Sequence, residues 1–222
     1  MSEQSLAGKV AVVTGASKGI GRAIAVAMAR EGADLVVTAR STDRLEELAG
    51  EAASLGRSCL VVTADMTQEA EVRQIAERAL AEYGKVDVLV NNAATIYPKT
   101  NLVDFDFADW RSIIEVNFIG VAALCQAVLP AMIERGADTI INFTACLAGE
   151  VTPLGIDVNC INPGGVETEG FRGLFGARSP GAWEPMPAQA IADVALFLAS
   201  DRSVALKGTS IDAFGSSSPI FR

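Results

Sequence analysis

The chain has 222 residues, enough for one α/β domain with a sizeable core and too few for two comfortable ones. Half of the residues are hydrophobic, which excludes a disordered chain. The 18 Lys and Arg against 27 Asp and Glu leave a net charge of −9, which argues against nucleic acid or an anionic membrane as a partner.

Residues 9–14 (KVAVVT) form a short β-branched apolar run, the mark of a buried parallel strand. A helical pattern follows over 19–31, then a second strand over 34–39, then a helix over 42–55 with Arg44, Glu46 and Glu47 outward. A third strand at 58–63 leads to a helix over 67–83, opened by Thr67 with Glu69 and Glu71 in its first turn. The fourth strand is 86–90, a long amphipathic helix covers 109–134, and the fifth strand is 139–143. A sixth strand at 156–161, a Gly- and Pro-rich loop over 163–187, a helix over 187–199 and a seventh strand at 209–214 follow, with a loose tail from Gly215. The alternation predicts a single Rossmann-like α/β domain over 1–222, a doubly wound parallel sheet with helices on both faces.

Histidine is absent, which excludes Ser-His-Asp and Cys-His catalysis, the His-Glu-x-x-His metal site and any histidine proton shuttle. The four cysteines, Cys59, Cys125, Cys146 and Cys160, are scattered without a Cys-x-x-Cys pair. They read as reduced thiols of a cytoplasmic protein, and no metal is expected. The N-terminus has no signal-peptide pattern, and no apolar run approaches the roughly 20 residues of a membrane helix, so the chain reads as soluble and intracellular.

Thr14-Gly15-Ala16-Ser17-Lys18-Gly19-Ile20-Gly21 joins the first strand to the first helix. Glycine lets this turn tighten and lets backbone N–H groups approach a pyrophosphate at a helix N-terminus, so the segment predicts dinucleotide binding. The second strand ends in Thr38-Ala39-Arg40-Ser41, without the carboxylate that holds the ribose 2′-OH of NAD. Arg40 can fork onto a 2′-phosphate and Lys18 can add a second cation, which favours NADP(H) over NAD(H).

The glycine segment resembles the Thr-Gly-x-x-x-Gly-x-Gly motif of the short-chain dehydrogenase/reductase family. Further landmarks follow in order: Asp65 in Ala64-Asp65-Met66-Thr67, Asn91-Asn92-Ala93-Ala94 where the family has Asn-Asn-Ala-Gly, Asn117 in Val116-Asn117-Phe118-Ile119-Gly120, then Pro163-Gly164 and Thr168. The resemblance runs from about Leu6 to Gly215. It implies hydride transfer between a nicotinamide cofactor and a small alcohol or carbonyl substrate, in a homo-oligomer. It also implies that Gly15, Ser17, Gly19, Ile20 and Gly21 cradle the pyrophosphate and that Asp65 and Met66 contact adenine. Asn91 and Ala93 would flank the adenosine ribose, and Pro163, Gly164 and Thr168 would face the nicotinamide. Simpler roles stand beside these: Asp65 as the cap of the helix that begins near Thr67, and Asn117 as a buried Asn bonded to backbone.

The family's chemistry rests on Asn, Ser, Tyr and Lys, with Tyr-x-x-x-Lys one turn apart on a helix. This chain has two tyrosines, Tyr83 and Tyr97, both before the fifth strand, and no Lys or Arg between Arg135 and Arg172. Asn117 remains. The serine position holds Cys146 if anchored on Gly149, or Ala145 if anchored on Asn142. The 11-residue connection 145–155 can span a crossover but cannot also supply a several-turn helix. The chain is therefore expected to lack the covering helix between strands five and six, to leave an apolar patch bare, and to be inactive or strongly impaired. In the family that helix also pairs with the 109–134 helix across a dimer interface, so the interface is in doubt too. Tyr97 beside Lys99, or Cys146 as a nucleophile, are minor substitutes for the lost groups. The alternative is a non-catalytic cofactor-binding scaffold, or an internally deleted isoform with an interaction role. Phe171, Leu174, Phe175 and Trp183 form an apolar lid or a packed loop over the substrate side.

Overall fold

The computed structural model describes residues 4–95, 101–136, 138–142, 145–175 and 184–215. In chain order the strands are β1 (Val10–Thr14), β2 (Asp34–Ala39), β3 (Cys59–Thr63), β4 (Val88–Val90), β5 (Asp138–Ile141), β6 (Ile156–Pro163), β7 (Val166–Glu167), β8 (Met186–Pro187) and β9 (Ser210–Ala213). Seven of them form one parallel sheet in the order β3-β2-β1-β4-β5-β6-β9, and β7 and β8 form a separate parallel pair. The helices are α1 (Gly19–Arg30), α2 (Thr42–Ser54), α3 (Glu69–Tyr83), α4 (Phe107–Ile114), α5 (Gly120–Arg135), α6 (Ala145–Val151), α7 (Glu169–Phe175) and α8 (Ala188–Ala199).

The apolar runs of the strands follow from burial on both faces. In β1, Ala11 and Val13 pack into a layer under α1, α2 and α8, whereas Val10 and Val12 pack into a layer under α3, α5 and α6. On the first side, Leu45 and Leu48 of α2 and Ile191, Ala195 and Leu198 of α8 are buried. On the second, Val72 and Ile75 of α3 meet Leu124, Val128 and Met132 of α5. Side-chain alternation within one strand thus builds two cores, and the fold is the expected Rossmann-like α/β sandwich.

Three elements depart from the sequence reading. The long helix begins at Phe107, because Asp106 Oδ1 accepts a hydrogen bond from the Ala108 N–H at 2.8 Å and caps it. It continues to Arg135 through a π-helical turn, Glu115–Ile119. Over its most apolar 18 residues the mean hydropathy is 1.9, so by length and composition this helix could cross a membrane. That corrects the expectation that no such run exists. Here one face of α5 lies in the sheet-covering core. Finally, the connection from β5 to β6 is helical despite its brevity. It forms the two turns of α6 and a 3₁₀ turn, Thr152–Leu154, so the covering helix is reduced to a stub rather than lost outright. Ala148 and Val151 of the stub are buried against the sheet.

Candidate functional site

The C-terminal ends of the parallel strands converge on one cavity of about 730 Å³. Its wall is drawn from the glycine turn (Gly15, Ser17, Lys18, Gly19, Ile20), the end of β2, the β3–α3 loop from Ala64 to Thr67, the β4 exit from Asn92 to Thr95, and Thr168 and Gly170. It lies where the chain leaves central β1 for β2 on one side and β4 lies on the other, the reversal point at which doubly wound sheets bind ligands.

The glycine turn is shaped by its neighbours. Gly15 has φ +66°, and a Cβ there would stand 2.9 Å from Ala93 Cα. At Gly21 a Cβ would collide with the Asn92 amide and the Gly15 carbonyl. Asn92 Nδ2 donates to the Thr14 carbonyl at 2.9 Å, and Thr14 Oγ1 accepts from the N–H groups of Asn92 (3.0 Å) and Ala93 (2.9 Å). The ends of β1 and β4 are therefore stitched together, leaving the turn open to the cavity. Thr38 also borders the cavity, and its hydroxyl is buried without a hydrogen-bond partner among the described residues.

The predicted residues fall into three groups. Gly15, Ser17, Lys18, Gly19, Ile20, Arg40, Asp65, Met66, Ala93 and Thr168 all line the cavity. Asp65 also accepts from the N–H and the hydroxyl of Thr67, each at 2.9 Å, which closes a turn ahead of α3 rather than capping it: the helix starts at Glu69, and its N-cap, Gln68, has no side-chain cap. Thr168 Oγ1 likewise accepts from the Phe171 N–H at 3.1 Å at the start of α7. Gly21, Asn91, Pro163 and Gly164 sit outside the lining. Gly21 packs behind the turn against Asn92. Asn91 is buried, its Nδ2 3.5 Å from Cys125 Sγ, so at this strand exit Asn92 and Ala93, and not Asn91, line the cavity. Pro163 and Gly164 pair with Ala213 at the end of β6.

Asn117 sits in the π-helical turn, exposed rather than buried as expected, though bonded to backbone. Its Oδ1 accepts from the Thr95 N–H at 2.7 Å and its Nδ2 donates to the Thr95 carbonyl at 3.0 Å, so it acts on the cavity through the Thr95 backbone. Tyr97, Lys99 and Trp183 lie outside the described residues, as do the side chains of Cys146, Leu174 and Phe175. Tyr83 is no substitute acid. Its hydroxyl donates to the Leu35 carbonyl at 3.3 Å, and burial pushes its phenol up to about 12. Burial also pushes the Cys59 and Cys125 thiols up to about 12, so neither is a thiolate near neutrality.

Several lining residues escaped the sequence analysis, Ser112, Val116 and Gly170 among them, and Arg44 is the charged one. Arg44 was expected to point into solvent. It is exposed, yet it faces the cavity mouth and pairs with Glu169 Oε2 at 2.9 Å. Only tertiary folding brings α2 and α7 together.

The short chain dehydrogenase family model matches residues 9–145, ending at the first residue of α6. The 3-oxoacyl-(acyl-carrier-protein) reductase FabG of Escherichia coli is 33% identical over 239 positions that take in 94% of this chain and 96% of that protein. Since 94% of 222 residues is about 209, about 30 of those 239 positions hold no residue of this chain. The structure of L-sorbose reductase from Gluconobacter frateurii, complexed with NADPH and L-sorbose, superposes with a TM-score of 0.88 at 28% identity, covering 96% of this chain and 98% of that one. The 3-ketoacyl-(acyl-carrier-protein) reductase of Brucella melitensis, complexed with NADH, gives 0.87 at 28% identity, covering 95% and 98%. A parallel seven-stranded sheet in this order, a glycine turn at the end of its first strand and a family match over most of the chain make this protein a member of the short-chain dehydrogenase family, whose relatives are NAD(P)-dependent oxidoreductases.

Proposed function

We propose that this chain binds NADP(H) in preference to NAD(H) and that its own hydride-transfer chemistry, on a small alcohol or carbonyl, is strongly impaired. The observation that carries the cofactor reading is the wall at the end of β2. Arg40 and Lys18 line the cavity there, and Thr38-Ala39-Arg40-Ser41 offers no carboxylate to a ribose 2′-OH. The fit of a dinucleotide rests on the crowded glycine turn that lines the cavity.

When bound, the nicotinamide supplies or accepts the hydride. The glycine turn presents backbone N–H groups to the pyrophosphate, with the start of α1 behind it. Asp65 and Met66 border the adenine side, Ala93 the adenosine ribose, and Thr168 the nicotinamide side. Asn117 holds the Thr95 backbone, which shapes the wall between α4 and β4. No tyrosine or lysine follows β5 before Arg172 to give or take the substrate proton, a step worth about 10²–10⁴-fold. The chain accordingly reads as a cytoplasmic, oligomeric cofactor-binding member of the family. A scaffold or internally deleted isoform with an interaction role is the second reading, favoured by the β5–β6 crossover, whose two-turn stub and 3₁₀ turn leave no several-turn helix there.

Fluorescence titration with NADPH and NADH tests the first claim. NADPH is expected to bind at least about tenfold more tightly, as one charge-assisted contact provides. Equal affinities would refute it. Turnover with a panel of carbonyl compounds is expected at or below about 0.1 s⁻¹, against an ordinary enzyme's ~10 s⁻¹. A rate of a few per second would overturn the claim of impairment.

A further inference from the structure

Arg44 and Glu169 face each other across the mouth of the cavity, Arg44 in the first turn of α2 and Glu169 at the start of α7. Both side chains are about half exposed, so the pair is weak on its own and easily exchanged. Arg44 shares the cavity rim with Arg40, Ser41, Ser17 and Lys18. The Glu169 carboxyl is held below its usual range first by the hydrogen bond and charge of Arg44, then by Lys18 and Arg172. Arg44 is thus the cation that pairs with the Glu169 carboxylate, and Lys18 acts on it only through its charge. Arg172, the third, is already paired to Glu167.

Resting on the NADP(H) reading above, we propose that Arg44 is a third cation for the 2′-phosphate and that Glu169 is the anion this phosphate displaces, so that Glu169 tunes the preference between the two cofactors. The exchange is balanced in charge, one anion leaving the guanidinium as another arrives. A 2′-hydroxyl carries no charge and has no power to compete for Arg44, so NAD(H) leaves the pair closed. The same exchange frees α7, and with it the segment after β6, from its tether to α2.

Binding of NADPH and NADH to the wild-type chain, Arg44→Gln and Glu169→Gln, by fluorescence titration at low and moderate salt, tests this. Both residues are exposed, so thermal midpoints are expected to stay near the wild-type value. Arg44→Gln is expected to weaken NADPH at least about fivefold and to change NADH by less than about twofold. Glu169→Gln is expected to tighten NADPH and leave NADH unchanged. The proposal fails, with the cofactor reading intact, if wild type prefers NADPH but Arg44→Gln alters both dinucleotides equally, or if Glu169→Gln weakens NADPH. If wild type shows no preference for NADPH, the cofactor reading fails and this proposal falls with it.

Discussion

Asn92 shows how much a single amide can organise. Its Nδ2 donates to the Thr14 carbonyl and reaches toward the Gly15 carbonyl, while its own N–H and that of Ala93 donate to Thr14 Oγ1. Asn92→Asp replaces the donor with a carboxylate facing two carbonyls. It is expected to cost about 1–3 kcal/mol of stability and to weaken dinucleotide binding. Chemical denaturation and cofactor titration check both effects. The Asn-Asn-Ala spacing marked this strand exit in the sequence, but it could not say which of two adjacent amides faces the cavity, because that depends on how β4 meets β1. A second residue-scale prediction concerns Asp138, whose side chain is fully buried beside Arg135 with Oδ2 unpartnered among the described residues. Burial raises its pKa to about 6, against the opposing pull of Arg135. The folded chain then keeps a proton that an unfolded aspartate releases near 3.8. Between these values the folded state binds more protons, so this residue makes stability fall as pH rises from about 4 to 6 and level off above. Asp138→Asn is expected to flatten that slope in denaturation midpoints measured across the window; an unchanged slope would refute the assignment.

At the scale of elements, the β5–β6 crossover is the informative case. The chain closes a parallel connection with two turns of α6 and a 3₁₀ turn, then stops at Gly155 with φ +84°. A Cβ there would run into the carbonyl of Gly136, at the end of α5. Gly155→Ala is therefore expected to cost about 1–3 kcal/mol, from strain and displaced backbone together. Gly149, inside α6, has open space around its Cα and no left-handed backbone. Gly149→Ala is expected to stabilise by about 0.5–1 kcal/mol. Thermal unfolding of the two variants side by side tests the short crossover directly, and equal effects would contradict it. The sequence showed that 11 residues could not carry a several-turn helix. It did not show that they would still be helical, because that follows from Ala148 and Val151 finding the sheet face.

At the scale of the whole molecule, the long helix carries an exposed apolar stripe. Phe107, Trp110, Ile114 and Phe118 follow helical spacing, with Phe107 76% and Phe118 54% exposed. If the chain self-associates as its family resemblance implies, this is the face whose burial would drive it. Phe118→Glu is then expected to shift sedimentation toward the monomer, and no shift would exclude the stripe. Composition, strand-by-strand burial and the glycine turn sufficed in the sequence for the doubly wound sheet, for the cavity at its carboxyl edge, and for the absence of a tyrosine-lysine pair after β5. These are local or additive properties, written in periodicity and in residue counts. The tertiary structure alone decided that Arg44 meets Glu169, that Asn117 acts through Thr95, and that Asn91 is buried while Asn92 faces the cavity. Each depends on elements distant in the chain arriving at one place. Which side chain wins a contact there is settled by packing geometry, which no local pattern encodes.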